Sequence, residues 1–188
     1  MIPVELLLQA YSQGIFPMSM ENGEISWFSP DPRGIVPLET FHIPHGLART
    51  LKKSLFQIRF DHDFEAVMRA CAEREETWIS EEIIQSYVAL HRLGYAHSVE
   101  AWSANGLAGG LYGVHLRGAF FGESMFHRDT DASKVALVAL VQHLREHRFT
   151  LLDTQWITPH LATFGAVNVS KKTYLSRLRN AMQLDCEF

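Results

Sequence analysis

The fold class is decided by residues 107–126, which read LAGGLYGVHLRGAFFGESMF. The apolar runs Leu107 to Leu116 and Gly118 to Phe126 have the length and aromatic content of strands, and Arg117-Gly118 joins them as a turn. Asn105-Gly106 is typical of hairpin turns and connects the first run to an earlier strand over 97–102. The centre of the chain therefore predicts an antiparallel meander.

Helices precede this meander, and strands alternate with helices after it. Outside the meander the pattern predicts helices over 4–13, 47–55, 63–74, 81–93 and 132–147, a short helix after Thr158, a final helix after Ser170, and strands over 56–60, 150–155 and 166–169. In the second helix Leu47, Leu51 and Leu55 are expected to face inward. The order predicts an α+β fold with a mixed, largely antiparallel sheet flanked by helices, a layout that fits a GNAT-like acyltransferase.

A proline-rich segment marks the expected domain boundary. Residues 27–34 contain Pro30, Pro32 and Gly34, which predict a rigid turn. We therefore expect a small N-terminal subdomain over 1–33 and a GNAT-like catalytic domain over 34–188.

Composition excludes several classes of protein. The 188 residues are 47% hydrophobic and 20% charged, which is typical of a globular chain and not of a disordered one. The longest apolar run, Val135 to Val141, is far below the ~20 residues that a membrane span needs, and the N-terminus lacks a secretory signal. Cys71 and Cys186 form neither a disulfide framework nor a metal knuckle. A cytoplasmic protein is the expectation.

The positions of the charged residues along the chain are more informative about binding partners than the net charge of −4. Residues 40–60 contain no acid but carry Arg49, Lys52 and Lys53, and residues 154–184 also lack acids. Such segments fit either basic faces that meet phosphates or ordinary solvated helix faces.

Two polar features stand in otherwise apolar strands. In residues 151–155, LLDTQ, strand alternation puts Asp153 and Gln155 on one face, roughly 6.6 Å apart. Buried polar groups need partners, so this pair is either structural or functional. Glu123 lies among aromatic neighbours and is a candidate for a tuned acidity.

Motifs for binding a metal or a cofactor are incomplete or missing in this sequence. His143 and His147 match the H-x-x-E-H zinc pattern, but no third ligand follows, and histidines are favoured at a helix C-terminus. A zinc hydrolase using these residues stays a remote alternative. A Walker loop, a serine elbow and the pyrophosphate loop of coenzyme A enzymes are all missing. We therefore expect no cofactor, no metal and an acyl donor other than acyl-CoA.

Motifs in order along nearly the whole chain resemble the leucyl/phenylalanyl-tRNA–protein transferase family. The matching stretches are 14–17 (GIFP), 27–34 (WFSPDPRG), 77–79 (TWI), 93–100 (LGYAHSVE), 109–113 (GGLYG), 122–126 (GESMF), 132–134 (ASK) and 151–155 (LLDTQ). Many motifs in a fixed order are far more specific than any one of them.

The resemblance implies an enzyme that moves Leu or Phe, and less readily Met, from aminoacyl-tRNA to a protein that begins with Arg or Lys. The product would be an N-degron that marks the acceptor for protein degradation. Leucyl- and phenylalanyl-tRNA and such acceptor proteins are the implied partners, with no membrane involved. A non-catalytic RNA-binding module that keeps only the basic faces is the alternative.

The resemblance also implies the site residues. They are Asp153 and Gln155 as catalytic residues, Trp78 against the terminal adenosine, Arg49, Lys52 and Lys53 on the tRNA acceptor stem, and an aminoacyl pocket of Leu111, Phe120, Met125, Leu137, Leu140 and Leu144. Glu123, from its place among aromatic residues, is expected to support the catalytic pair. Strand alternation puts Phe120 and Met125 on opposite faces unless Gly122 marks a bulge.

Overall fold

The computed structural model describes residues 1–188. Its helices are α1 Val4–Ser12, α2 His45–Lys52, α3 Phe64–Ala72, α4 Glu81–Arg92, α5 Ala132–Glu146, α6 Pro159–Ala162 and α7 Lys171–Ala181. Its strands are β1 Phe16–Ser19, β2 Ile25–Phe28, β3 Arg33–Ile35, β4 Gln57–Phe60, β5 Ala96–Ser103, β6 Gly106–Leu116, β7 Ala119–His127, β8 Leu151–Gln155 and β9 Val167–Val169.

The main sheet is mixed and largely antiparallel, as the sequence predicts. Its seven strands lie in the order β4-β5-β6-β7-β8-β3-β9, and only β7 and β8 pair in parallel. The helix α5 makes the crossover between these two strands. The predicted α+β class is confirmed, while β1 and β2 form a separate two-stranded sheet.

Side-chain caps begin several helices where the sequence predicts them. The Asp63 carboxylate accepts a hydrogen bond from the Ala66 N–H at 3.1 Å, and the Ser80 hydroxyl accepts one from Ile83 at 3.4 Å. Such caps satisfy N–H groups that the first turn of a helix leaves unpaired. They fix where α3 and α4 start.

Alternation along the strands divides the core between the two faces of the sheet. Leu111 and Phe120 pack with α2 and α5, whereas their neighbours Tyr112 and Phe121 pack with α1, α3, α4 and α7. Successive side chains of a strand point to opposite faces, which is why neighbouring residues join different clusters. Helices thus cover both faces of the central strands.

The first turn of α5 lies directly against β6. A Cβ on Gly109 would come within 2.7 Å of the Ala132 Cβ, so the close approach depends on glycine. This contact positions the start of α5 beside the site described below.

Two local predictions are wrong. Leu55 is 58% exposed, because α2 ends at Lys52 and the next turn carries Leu55 away from the core. The predicted turn over 27–34 is shorter, since β2 extends to Phe28 and β3 already begins at Arg33. Arg33 belongs to the sheet, where its buried guanidinium pairs with the Asp153 carboxylate of β8.

None of the helices combines the length with the apolar character that crossing a membrane requires.

Candidate active site

The parallel strands β7 and β8 part from each other and leave a cavity between them. Their pairing extends only from Ala119 and Leu151 to Phe121 and Asp153, although both strands continue beyond it. The cavity holds about 530 Å³. Its wall includes residues 122–125 from β7 and residues 154–156 at and just after the end of β8. A gap in the sheet thus opens the core to a ligand from outside.

The cavity is lined largely by apolar residues, which include most of the predicted aminoacyl pocket. Leu111, Met125, Leu137 and Leu140 line it, together with Leu152 and Leu161. A cavity of this size has room for more than one side chain, and its apolar residues suit a hydrocarbon group.

Two members of the predicted pocket do not reach this cavity. Phe120 and Leu144 are fully buried in the core on the α5 side of the sheet. Leu152 and Leu161, which the predicted pocket does not include, line the cavity.

Aromatic side chains also line the cavity. Trp78, which the resemblance places against adenosine, lines the cavity with Phe16 and Trp156. The ring centroids of Phe16 and Trp156 are 5.3 Å apart in an edge-to-face arrangement, and Trp156 is 46% exposed. The sequence interpretation missed Trp156, which directly follows β8.

Glu123 stands on a β-bulge in the cavity wall. Gly122 pairs with Gly113 and Ser124 pairs with Tyr112, so no residue of β6 lies opposite Glu123. The bulge that the sequence left open at Gly122 is present, and it re-aims one side chain of the strand. The Glu123 Oε1 accepts hydrogen bonds from the Tyr11 hydroxyl at 2.8 Å and from Gln155 Nε2 at 3.3 Å.

Burial raises the pKa of the Glu123 carboxyl from 4.5 to about 8. The hydrogen bond from Tyr11 lowers this pKa, the negative charge of Asp153 raises it, and the Arg33 guanidinium lowers it. Loss of hydration, which disfavours the charged form, is the largest cause. At neutral pH the group is therefore mainly a neutral acid.

The shifted Glu123 pKa predicts a pH dependence of stability. The folded chain holds a proton on Glu123 up to pH about 8, whereas the unfolded chain loses it near 4.5. The unfolding free energy should therefore fall as pH rises between these values and level off above. Calorimetry from pH 5 to 8.5 should show a steeper fall of Tm in the wild type than in Glu123→Gln, which cannot ionise. Parallel curves would contradict the assignment.

Gln155 ends β8 in an unusual backbone conformation. Its φ is +57°, in the left-handed region that residues other than glycine rarely adopt. Its backbone N–H donates to the Asp153 Oδ1 at 2.9 Å, and its side chain lines the cavity. Because Nε2 donates to Glu123, the amide oxygen of Gln155 is the atom left to accept from a ligand.

Asp153 lies behind the cavity and not in its wall. Its side chain is fully buried and receives a two-pronged ion pair, from Arg33 Nε to Oδ1 at 2.9 Å and from Arg33 Nη2 to Oδ2 at 2.7 Å. The Tyr174 hydroxyl donates to Oδ2 at 2.7 Å. That Asp153 and Gln155 share one face of β8 stays a prediction; of the two side chains, only Gln155 lines the cavity.

Sequence reasoning missed the partners of these acids. Arg33 is only 1% exposed, and the Tyr11 and Tyr174 rings are equally buried. The sequence feature that marks Arg33 is its place in the family motif 27–34, where the prolines predict a turn. Nothing in the local pattern pairs it with a residue 120 positions further on.

The predicted basic helix lies beside the cavity. Arg49, Lys52 and Lys53 are exposed and make no ion pair. The Thr50 hydroxyl of the same helix donates to Asp131 at 2.9 Å, two residues before Ser133, which lines the cavity. The helix that carries the three basic residues is therefore bonded to the segment that begins α5, whose Ser133 lines the cavity.

The zinc alternative finds no third ligand. His143 packs against His147 at 4.0 Å between ring centroids and against Phe188 at 4.4 Å. No group of three or more His, Cys, Asp or Glu side chains in the structure is arranged to hold a metal ion.

Comparison with known proteins agrees on one family. The family model described as leucyl/phenylalanyl-tRNA protein transferase matches residues 35–179, and the model of its N-terminal domain matches residues 1–31. A solved structure titled as L-PGS from Bacillus licheniformis has a TM-score of 0.45 and 14% identity, and it covers 84% of this chain and 54% of that one. A likeness this weak assigns no function.

Relatives match over the full length. The leucyl/phenylalanyl-tRNA–protein transferase of Akkermansia muciniphila is 58% identical over 184 residues, which cover 95% of each chain. The protein of the same name from Rubrobacter xylanophilus is 54% identical over 98% of this chain and 97% of its own. The chain therefore belongs to the leucyl/phenylalanyl-tRNA–protein transferase family.

Proposed function

We propose that this protein transfers leucine or phenylalanine, and less readily methionine, from aminoacyl-tRNA to proteins that begin with Arg or Lys. The observation that carries the proposal is a mainly apolar cavity with the Gln155 side chain in its wall, in a chain of this family. The acceptor residue and the resulting N-degron follow from the family resemblance, as does a cytoplasmic location.

The reaction is the aminolysis of an ester. The α-amine of the acceptor attacks the ester carbonyl carbon, a C–N bond forms, and the C–O bond to the terminal ribose breaks. The amine loses one proton and the ribose oxygen gains one, so no cofactor is consumed. An aminoacyl ester is already activated, and holding both reactants in place is worth effective molarities of about 10⁵–10⁸ M.

Gln155 is the residue best placed to orient the incoming amine. Its amide oxygen is a good hydrogen-bond acceptor but a poor base, and its amide nitrogen is engaged by Glu123. A neutral Glu123 would brace Gln155 without adding a charge beside the ester. In this proposal Asp153 acts through Gln155, since its carboxylate does not reach the cavity.

The apolar lining of the cavity accounts for which amino-acid side chains the donor tRNA can present. Leu137 and Leu140 present only hydrocarbon to the donor side chain. A missing methylene costs about 1–3 kcal/mol, so valine would be disfavoured, whereas a charged side chain would lose its hydration without a partner.

The tRNA would reach the site across two surfaces. We place the terminal adenine against Trp78, where stacking on an aromatic ring contributes about 1–3 kcal/mol per base. The acceptor stem would meet Arg49, Lys52 and Lys53, whose charges are exposed beside the cavity. The basic face of α2 thus has a partner of opposite charge.

We retain the division into residues 1–33 and a GNAT-like domain over 34–188. In support, β1 and β2 form their own sheet, and the meander leads through α5 into a parallel strand. Tyr11 and Phe16 nevertheless pack in the main core, so the small unit is bound tightly to the large one.

The direct test of function is a transfer assay. Labelled Leu, Phe, Met or Val on tRNA is offered with a peptide that begins with Arg, and the same peptide beginning with Ala serves as control. Labelling of the Arg peptide by Leu and Phe, with less from Met and least from Val, is expected. Binding of the tRNA without any transfer would instead identify a non-catalytic RNA-binding module.

The basic face of α2 makes a separate prediction. Each of Arg49→Ala, Lys52→Ala and Lys53→Ala should weaken tRNA binding and reduce the slope of log K against log salt by about 0.7–0.9, because each removes one phosphate contact. Arg92→Ala is the matched control, since this exposed arginine lies on α4, across the sheet. Slopes that stay equal to the wild-type slope in all three variants would remove α2 from the tRNA surface.

A further inference from the structure

We propose that Arg33 and Tyr174 are positioning residues of the transfer reaction, which hold Gln155 in its productive place through Asp153. The inference rests on the proposed function, because it assigns Gln155 the task of orienting the amine. We name the Arg33–Asp153–Tyr174 cluster the clamp.

The clamp satisfies the whole Asp153 carboxylate. Oδ1 accepts from Arg33 Nε and from the Gln155 backbone N–H, both at 2.9 Å, and Oδ2 accepts from Arg33 Nη2 and the Tyr174 hydroxyl, both at 2.7 Å. With four donors the group has no free lone pair directed at a substrate. Its remaining way to affect the reaction is the hydrogen bond to the Gln155 backbone.

That hydrogen bond acts where the backbone needs support. The φ of +57° at Gln155 costs about 1–2 kcal/mol for a residue with a Cβ, and such conformations persist only where the surroundings enforce them. The Asp153 carboxylate receives the Gln155 N–H and so fixes the turn that aims its side chain into the cavity. If the carboxylate moves, the Gln155 amide moves with it.

The clamp also ties three separate segments of the chain together at this point. Arg33 Nη1 donates to the Gly14 carbonyl at 2.9 Å, and the guanidinium carbon lies 4.4 Å from the Tyr174 ring centroid and 5.0 Å from that of Phe16. Gly14 is needed for this packing, because a Cβ there would lie 2.6 Å from Tyr174 Cε1. A movement of β1, β3 or α7 would therefore reach Gln155.

The two residues fix the carboxylate in different ways. The planar fork of Arg33 matches both oxygens at once, which the single ammonium of a lysine cannot reproduce. The Tyr174 hydroxyl sets the position of Oδ2 alone. We therefore expect Arg33→Lys to have a larger effect on turnover than Tyr174→Phe.

The test separates turnover from binding. In the transfer assay with phenylalanyl-tRNA and an Arg peptide, Tyr174→Phe should lower kcat about tenfold and Arg33→Lys about a hundredfold, with little change in the KM for the tRNA. Leu178→Ala is the control. This leucine is buried on the same helix as Tyr174, but its hydrocarbon side chain cannot hydrogen-bond to the clamp. The control substitution should lower Tm more than Tyr174→Phe does, yet leave kcat near the wild-type value.

A double-mutant cycle then asks whether the clamp acts through Gln155. In a Gln155→Ala background, Tyr174→Phe should no longer lower the residual kcat, because the positioned side chain is gone. If Tyr174→Phe lowers kcat by the same factor in both backgrounds, or leaves it unchanged in the wild-type background, the clamp proposal is overturned while the proposed function stands. If the unmodified protein transfers nothing, both proposals fall.

Discussion

Gln155→Ala is expected to lower kcat about 10²–10⁴-fold while tRNA binding stays close to that of the wild type. The physical reason is that the amide oxygen of Gln155 orients the amine at the ester, and a positioned polar group of this kind typically contributes such a factor. The side chain lines the cavity and hydrogen-bonds to Glu123, not to the basic residues of α2, so affinity for the tRNA body should persist. Single-turnover transfer and an equilibrium binding assay measure the two quantities separately.

The backbone of Gln155 supplies an unusual control for this prediction. Since φ is +57°, glycine relieves a conformational cost that both glutamine and alanine bear. Gln155→Gly should therefore be as inactive as Gln155→Ala but more stable, by about 1 kcal/mol. The pair separates loss of function from loss of fold within one position.

Near-normal turnover in both variants would remove Gln155 from the mechanism. An equal loss of tRNA binding in both would instead show that its side chain serves affinity. Gln155→Asn adds a graded case, because it keeps the amide but withdraws it from the substrate by one methylene. Its turnover should fall between those of the wild type and Gln155→Ala.

Features of the fold that depend on neighbouring residues are predicted from the sequence, whereas features that depend on distant partners are not. The meander over 97–126 and the caps at Asp63 and Ser80 rest on local patterns, and the structure confirms them. The motifs that carry the family resemblance include or flank Leu111, Met125, Leu137 and Leu140. These four predicted pocket residues do line the cavity. Local rules and the resemblance together place most of the apolar wall.

Long-range pairing explains what the sequence does not predict. Arg33 looks like a turn residue after Pro32, and only its ion pair with Asp153 shows why it enters the sheet and is buried. Trp156 and Tyr174 likewise gain their places through partners far away in the chain. Strand alternation also gives no sign that Arg33 and Tyr174 enclose the Asp153 carboxylate, while Gln155 lines the cavity.

The buried ion pair gives the largest expected change in stability. Asp153→Ala should lower the unfolding free energy by about 3–5 kcal/mol, because it leaves the Arg33 guanidinium charged, 1% exposed and without its carboxylate partner. Burial alone lowers the pKa of Arg33, but the hydrogen bonds from its guanidinium to Asp153 raise it overall. For a chain of this size the loss corresponds to a fall in Tm of about 10 °C.

A second variant decides whether the cause is the unpaired charge or the lost packing. The double variant Arg33→Met with Asp153→Leu removes both charges and keeps apolar volume, so it should be more stable than Asp153→Ala although it alters more atoms. Its activity should nevertheless remain low, because no carboxylate receives the Gln155 N–H. If the double variant were less stable than Asp153→Ala, the ion pair would have to stabilise the fold in its own right. Recovery of activity in it would show that Gln155 is positioned without Asp153.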